Sequence, residues 1–376
     1  MSKQQTMSRN INKKQNFQGI VNNTETSCFN LLNQPKIYIE TGNGNTVTTL
    51  CQVNNNYILY AISKETKINV YDVPNKKHNA KGYIGHNSYV FKIMFIDKSL
   101  YSFSFNGEII LWNSSNQTIL RKNTIDNNDC LGMVTVLYIP YIKCNTETEH
   151  EHVFCSSFWN LSVYVYTIHN VLYAIKQSPS PHSQPSIEAI ITTVCYNYNE
   201  NVYCNNKCLL LASSRNKSVT LYQLTNTTSS EIKTINTSSL DDQNKYVTAF
   251  EVVPSRDRII FGYNNGTVLS LNIKLTKCIE QCKCHQTPIC ALEYFSDSNC
   301  VVSVGYKDKN IYIFKLDSFN KGLIIVKKTT FDCPFIRLND GRLLSSNEGV
   351  VNTIAIEDNK YEIKSEKKKC LVKEIN

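Results

Sequence analysis

Residues 85–113 read GHNSYVFKIMFIDKSLYSFSFNGEIILWN. A Gly85-His86 entry is followed by a run alternating around Val90, Ile93 and Phe95, then by a second strand that ends at Ser104. Asn106-Gly107 predicts a tight turn, and a third strand closes on Trp112-Asn113. Two-residue alternation broken by an Asn-Gly pair is a strong local hairpin signal, because both central residues of that turn take positive φ at little cost.

Aligning the rest of the chain on Trp112 finds six more segments in the same frame. They are KETKINVYD with Tyr71, FWNLSVYVY with Tyr166, RNKSVTLYQ with Tyr222, NNGTVLSLN with Leu271, KDKNIYIFK with Phe314 and NEGVVNTIA with Ile354. The spacing between anchors runs from about 40 to about 56 residues, enough for four short strands each, with insertions in the longer gaps. Six residues before each anchor stands a turn residue: Glu65, Asn106, Asn160, Asn216, Asn265, Asp308 and Glu348. Three residues before each anchor stands a β-branched one: Ile68, Ile109, Val163, Val219, Val268, Ile311 and Val351. Seven matches out of seven are hard to obtain from unrelated loops.

The Gly-His entry, the Trp-Asn exit and the period between anchors resemble the WD-repeat β-propeller family. The resemblance spans roughly residues 45–357 and is specific in two places, at Gly85-His86 with Trp112 and at Cys284-His285 with Phe314. It implies an all-β, seven-bladed propeller with four-stranded antiparallel blades. The domain reading is a weakly basic, disordered tail over 1–35, a propeller over 36–357 and a Lys-rich tail over 358–376. The strand that closes the ring is either KIYIE at 36–40 or the C-terminal KYEIKS.

The resemblance also implies buried networks and a recognition face. In the second repeat His86, Ser104, Asn106 and Trp112 would form a structural hydrogen-bonded set, neutral because Asn106 stands where the family keeps an acid. His285 and Asp308 would repeat part of it, with Tyr306 where Ser is expected. The residue just before each turn position would lie at the top of the ring around the channel: Lys64, Phe105, Trp159, Arg215, Asn264, Lys307 and Asn347. Lys64, Phe105, Trp159, Arg215 and Lys307 are the expected partner-binding residues, since exposed aromatics and cations are the types in which binding energy concentrates.

Composition narrows the class. No apolar run approaches the length of a membrane-spanning helix, and the N-terminal MSKQQTMSRNINKKQNFQ has no apolar core of a secretory signal. Fifteen cysteines, an odd count without an export signal, point to reduced thiols in cytosol or nucleus. The net charge of +9 is concentrated at the ends. Residues 1–35 and 360–376 each carry +3, leaving about +3 for the body.

Cys278, Cys282, Cys284, His285 and Cys290 are candidate zinc ligands, but their spacing matches no familiar zinc knuckle and His285 has a structural role. No metal or cofactor is therefore expected. Phosphate-loop, metalloprotease, hydrolase-elbow and kinase motifs are all absent. The reading is a non-catalytic scaffold that binds a protein or peptide partner, within a larger complex, on the top face. One alternative is a propeller subunit of an RNA- or chromatin-associated assembly that uses basic face and tail residues. Another is a propeller-fold hydrolase.

Overall fold

The structure is a computed structural model. It describes residues 36–361 except 43–44, 126–131, 146–149, 159–161, 177–189, 196–207, 215–217, 226, 237–245, 254–257, 273–277, 296–299, 307, 309–310, 316–322, 327–331, 341, 348 and 354–358. The tail expected over 1–35 lies outside the described residues, as does the tail expected over 358–376 apart from 359–361, and so do Trp159, Arg215 and Lys307.

Among the described residues every element is a strand, and the strands form seven antiparallel sheets. The first comprises Val47–Asn54, Tyr57–Ile62, Lys67–Asp72 and Lys77–Ile84, and the second Val90–Ile96, Ser99–Ser104, Glu108–Asn113 and Thr118–Thr124. The third comprises Met133–Asn145, His150–Phe158, Ser162–Tyr166 and Val171–Lys176, and the fourth Ile190–Cys195, Cys208–Ser214, Ser218–Leu224 and Ser229–Asn236. Val247–Val253, Arg258–Tyr263, Thr267–Asn272 and Cys278–Lys283 make the fifth. Ile289–Phe295, Cys300–Gly305, Ile311–Lys315 and Leu323–Val326 belong to the sixth, and Asp332–Arg337, Leu343–Asn347 and Val350–Thr353 to the seventh. Each sheet is a meander, and its first strand contacts first strands of other sheets, as in a ring of blades.

The first and last described strands each cross to a sheet that does not adjoin them in the chain. Tyr38–Glu40 pairs with the third strand of the seventh blade, Tyr38 opposite Asn352 and Glu40 opposite Val350. Ile37 and Ile39 are buried there among Val47, Leu50 and Ile58 of the first blade and Leu344 and Val351 of the seventh. The N-terminal strand therefore closes the ring, completing the seventh blade as its outer strand and covering the edge of Val350–Thr353. The C-terminal strand Asn359–Tyr361 goes elsewhere, pairing with Leu323–Ile325 as a fifth strand on the outer edge of the sixth blade. Six blades thus have the expected four strands. The sixth departs from that pattern, and strand structure runs past residue 357.

The repeat frame maps onto this architecture. Tyr71, Trp112, Tyr166, Tyr222, Leu271 and Phe314 all lie in the third strand of their blades, while Ile354 falls outside the described residues. The seven β-branched residues three positions earlier are each 0% exposed. Stiff branched side chains pack well on a pleated surface buried on both faces, which accounts for their recurrence. Gly107, at φ +86°, donates its N–H to Ser104 O at 3.0 Å and closes the turn that the Asn-Gly pair predicts. The insertion at 143–152 is largely a continuation of the third blade's first hairpin, with pairing that reaches Asn145 opposite His150.

The core sits between blades. Tyr101, Phe103 and Ile109 of the second pack against Met133, Phe154, Phe158 and Tyr166 of the third. Ala249, Val253 and Ile260 of the fifth pack against Ile289, Leu292 and Val301 of the sixth.

Candidate recognition face and its buried supports

The entry loop of the second blade carries His86, buried and held at both ring nitrogens. Nε2 is 2.6 Å from Ser102 Oγ, and Trp112 Nε1 donates to the same oxygen at 2.7 Å. The Ser102 hydroxyl can then donate its proton to Nε2, which places the imidazole proton on Nδ1, facing Glu108 Oε2 at 3.3 Å. Glu108 is buried and accepts further bonds from Asn87 N at 2.8 Å, Asn87 Nδ2 at 2.6 Å and Lys122 Nζ at 2.9 Å. Burial pushes His86 down to about 4, against the pull of Glu108, so the ring is neutral at pH 7. Burial works on Glu108 in the opposite sense, yet the Asn87 amide and Lys122 outweigh it and hold the carboxyl at about 2.

Two expectations are corrected here. The serine that joins His86 to Trp112 is Ser102, not Ser104; the Ser104 hydroxyl lies within bonding distance of Asn106 Oδ1 at 2.5 Å and of Glu108 Oε2 at 3.4 Å. Asn106 is exposed and does not make the set neutral, because Glu108 supplies a charged acceptor two residues later. In the third blade Ser156 and Tyr166 repeat the Ser102–Trp112 relation, hydrogen-bonded through their hydroxyls.

The sixth blade repeats the histidine site. His285, fully buried, bonds Asp308 Oδ2 through Nδ1 at 2.8 Å and Ser303 Oγ through Nε2 at 2.9 Å. Ser303 corresponds to Ser102, and Tyr306 does not occupy the serine position at all. The cause is turn length. Phe103 pairs with Ile109 in the second blade, but Val304 pairs with Ile311 in the sixth and Ala61 with Ile68 in the first, so the last two turns are one residue longer.

The same offset redraws the face. Phe105 N donates to Tyr89 O, Asn264 N to Tyr246 O, Tyr306 N to Pro288 O and Ser63 N to Thr46 O, so these four residues are structural equivalents at the entry of their blades. Lys64 and Lys307 lie one residue further on, in the longer turns. Lys64 is exposed with φ +73°, and Lys307 is outside the described residues. Phe105 is half-buried, stacked on Tyr89 at 5.0 Å and 20°, and so close to Gly132 that a β-carbon there would meet the ring at 2.3 Å. Tyr306, 48% exposed, is the aromatic on this face that a fixed count back from the anchor misses.

The first strands of the blades carry a charged set that no motif announces. Glu251 in the fifth blade is pushed up to about 8 by burial, with the neighbouring Glu293 adding to it. Glu293 in the sixth is pushed up to about 7 by burial, opposed by Arg337 of the seventh blade and Lys92 of the second. Burial lowers Lys92, although the side chain reaches water. Water contact within surrounding protein describes a channel-lining group. The second and sixth blades are not neighbours in the chain order, yet Lys92 and Glu293 each influence the other's charge. Arg337 also caps the Phe295 ring at 4.5 Å.

The cysteine cluster is split up by the fold. Cys282 and Cys284 are free thiols buried against the fifth-blade core, and His285 is engaged as above. Cys290 is disulfide-bonded, which corrects the expectation of reduced thiols at that position. The Cys278 side chain lies outside the described residues. Among the described residues no three His, Cys, Asp or Glu side chains converge as a metal site.

Residues 276–315, which hold His285, Ser303, Asp308 and the anchor Phe314, match the family described as WD domain, G-beta repeat. Among solved structures the chain is similar to the computationally designed Ika8 protein, with 14% identity and a TM-score of 0.55 over 84% of this chain and 99% of that one. At that identity the likeness speaks for the fold alone. No curated protein matches the chain.

Proposed function

For a chain that belongs to the WD-repeat β-propeller family, we propose a non-catalytic scaffold that captures a protein segment on the face carrying the blade entries. We count the five-stranded sheet as a blade, which makes the ring seven-bladed. The observation that carries the proposal is Tyr306, an exposed aromatic at the same entry register as Phe105 and Ser63; on the first blade the exposed Lys64 follows that register by one residue. An aromatic anchor bordered by cations suits an apolar segment flanked by acidic residues. Trp159, Arg215 and Lys307, from the sequence frame, belong to the same surface in this reading. His86 and His285 are excluded as catalytic bases because both ring nitrogens of each are already committed within the core. The same proposal places the protein in the cytosol or nucleus.

The test is affinity capture with the full chain from its own cells, followed by measured binding of the recovered partner. Tyr306→Ala, Trp159→Ala and Arg215→Ala should each weaken binding by roughly 1–3 kcal/mol, with little change in Tm. Normal binding by all three variants overturns the choice of face. A binding constant that falls steeply with salt, and a nucleic acid in the recovered complex, would replace the protein partner with a phosphate backbone.

A further inference from the structure

We propose that the outer edge of the second blade docks an extended, acidic segment of another protein, which adds to that blade as a fifth strand. The blade's last strand, Thr118–Thr124, pairs with Glu108–Asn113 on one side, and among the described residues no strand pairs with its other side. Its backbone therefore presents N–H and C=O groups that an incoming strand can satisfy. The sixth blade shows that an outer edge of this fold accepts a further strand, for there Asn359–Tyr361 lies against Leu323–Ile325.

Three large aliphatic side chains stand exposed along this edge. Leu120 is 59% exposed, Ile119 41%, and Ile84, the last residue of the first blade's outer strand, 66%. A β-carbon placed on Gly85 would meet Ile119 Cδ1 at 2.6 Å, so Ile119 lies against the backbone that directly follows Ile84. The two blades are tied together here. Lys122 Nζ donates to Gly85 O at 2.8 Å, Lys81 Nζ to Asn116 O at 3.0 Å and Tyr83 Oη to Ser114 O at 3.2 Å. The strand also carries cations and a register shift opposite Leu111 and Trp112, devices that discourage indiscriminate pairing. Adjoining exposed aliphatics work against that protection unless a partner covers them.

Charge chooses the occupant. Residues 73–85 and 114–125, the two outer strands with the turns that lead into them, contain Lys76, Lys77, Lys81, Arg121 and Lys122 and neither Asp nor Glu. A second copy of the chain would bring the same cations edge to edge, and the chain's own ends, 1–35 and 360–376, each carry +3. A lipid surface would cover the aliphatics but leave the strand's outer N–H and C=O groups unpaired in an apolar medium. A protein segment that alternates apolar with acidic residues supplies backbone pairing, cover for Ile84, Ile119 and Leu120, and counter-charges for the exposed Lys81 and Arg121. None of these residues belongs to the entry face proposed above.

The full chain should be mixed with a pool of synthetic peptides that alternate Glu or Asp with Val, Ile or Leu, and its amide hydrogen exchange followed by mass spectrometry. At saturation, exchange across Thr118–Thr124 should slow by about tenfold or more. The same pool N-methylated at alternate peptide bonds, or with Lys in place of the acids, should leave exchange unchanged. Ile84→Ser combined with Leu120→Ser should abolish the slowing with little change in Tm, because both side chains are more than half exposed. Lys81→Glu combined with Arg121→Glu should weaken binding by about tenfold or more. Tyr306→Ala should bind the pool normally, which separates this edge from the entry face. The proposal is wrong if the acidic pool at millimolar concentration leaves exchange at 118–124 unchanged, or if the N-methylated pool slows it equally. It is also wrong if the double serine variant still shows the slowing, or if phosphatidylserine vesicles produce it in place of the peptides.

Discussion

Replacing Glu108 with glutamine separates the network seen in the second blade from the one the repeat alone implies. The carboxylate accepts from His86 Nδ1, from the Asn87 amide and side chain, and from Lys122. Glutamine keeps one oxygen and turns the other into a donor, so an N–H must face His86 Nδ1 and Asn87 N, or Asn87 Nδ2 and Lys122. Each charge-assisted bond of this kind is worth about 1.5–3 kcal/mol, while Lys122, partly exposed, regains water and recovers part of its loss. The net cost should be about 3 kcal/mol, near the low end for breaking a buried ionic set, and Tm should fall by about 5 °C. Asn106→Ala removes one of two acceptors of the Ser104 hydroxyl at an exposed site, leaving Glu108 Oε2, and should cost under about 1 kcal/mol.

Acid sharpens the contrast. Glu108 is depressed, so its stabilisation is present above its ordinary 4.5 and is lost as pH falls toward about 2. His86 remains neutral in the fold down to about 4, while the unfolded chain protonates it below 6.5, so stability also falls with acid across that window. Urea titrations at pH 7, 5 and 3, followed by circular dichroism, would show Glu108→Gln losing less stability between pH 5 and pH 3 than the wild type. A larger loss from Asn106→Ala than from Glu108→Gln would refute the assignment of the acceptor.

Trp112→Ala empties a fully buried site and leaves Ser102 Oγ without its indole donor; chemical denaturation should record a loss of about 3–5 kcal/mol. Glu251→Gln should be stabilising at high pH. The folded carboxyl holds its proton to about 8 while the unfolded one loses it near 4.5, so wild-type stability declines as pH rises through that window. The variant should gain at least about 1 kcal/mol over wild type at pH 9, with Glu293, Arg337 and Lys92 left in place, and match it at pH 5. Replacing both Ile37 and Ile39 with Ser should open the ring, because each loses roughly 1.5–3 kcal/mol of burial between the first and seventh blades. Hydrogen exchange should then quicken first at Val350–Thr353, and unchanged protection there would count against closure by the N-terminal strand.

Much of the architecture could be read in the chain because it is local. The spacing of the anchors, the Asn-Gly turn and the seven branched residues all report side chains that alternate along one strand, and the pleat transmits that alternation directly to burial. Which serine meets the histidine was not local in that sense. Ser102 and Ser104 point to the same face of their strand, and only the pairing of Val90 with Ser104 and of Ser102 with Ile110 places one under the imidazole and the other at the turn. A count back from the anchor failed by one residue at Tyr306 because turn length varies between blades, and a turn's length is settled by the register of the strands it joins.

The sequence by itself determined the strand repeat, the buried face of each third strand and the histidine entries, since each depends on residues within one hairpin. Tertiary structure alone decided which end of the chain closes the ring, that Lys92 and Glu293 come near enough to influence each other's charge, and that Cys290 packs toward the seventh blade while Cys284 packs toward the fifth. These depend on how the strands are packed into a circle. Residues dozens or hundreds of positions apart become neighbours only when every blade has buried both of its faces, and no pattern of adjacent residues records that.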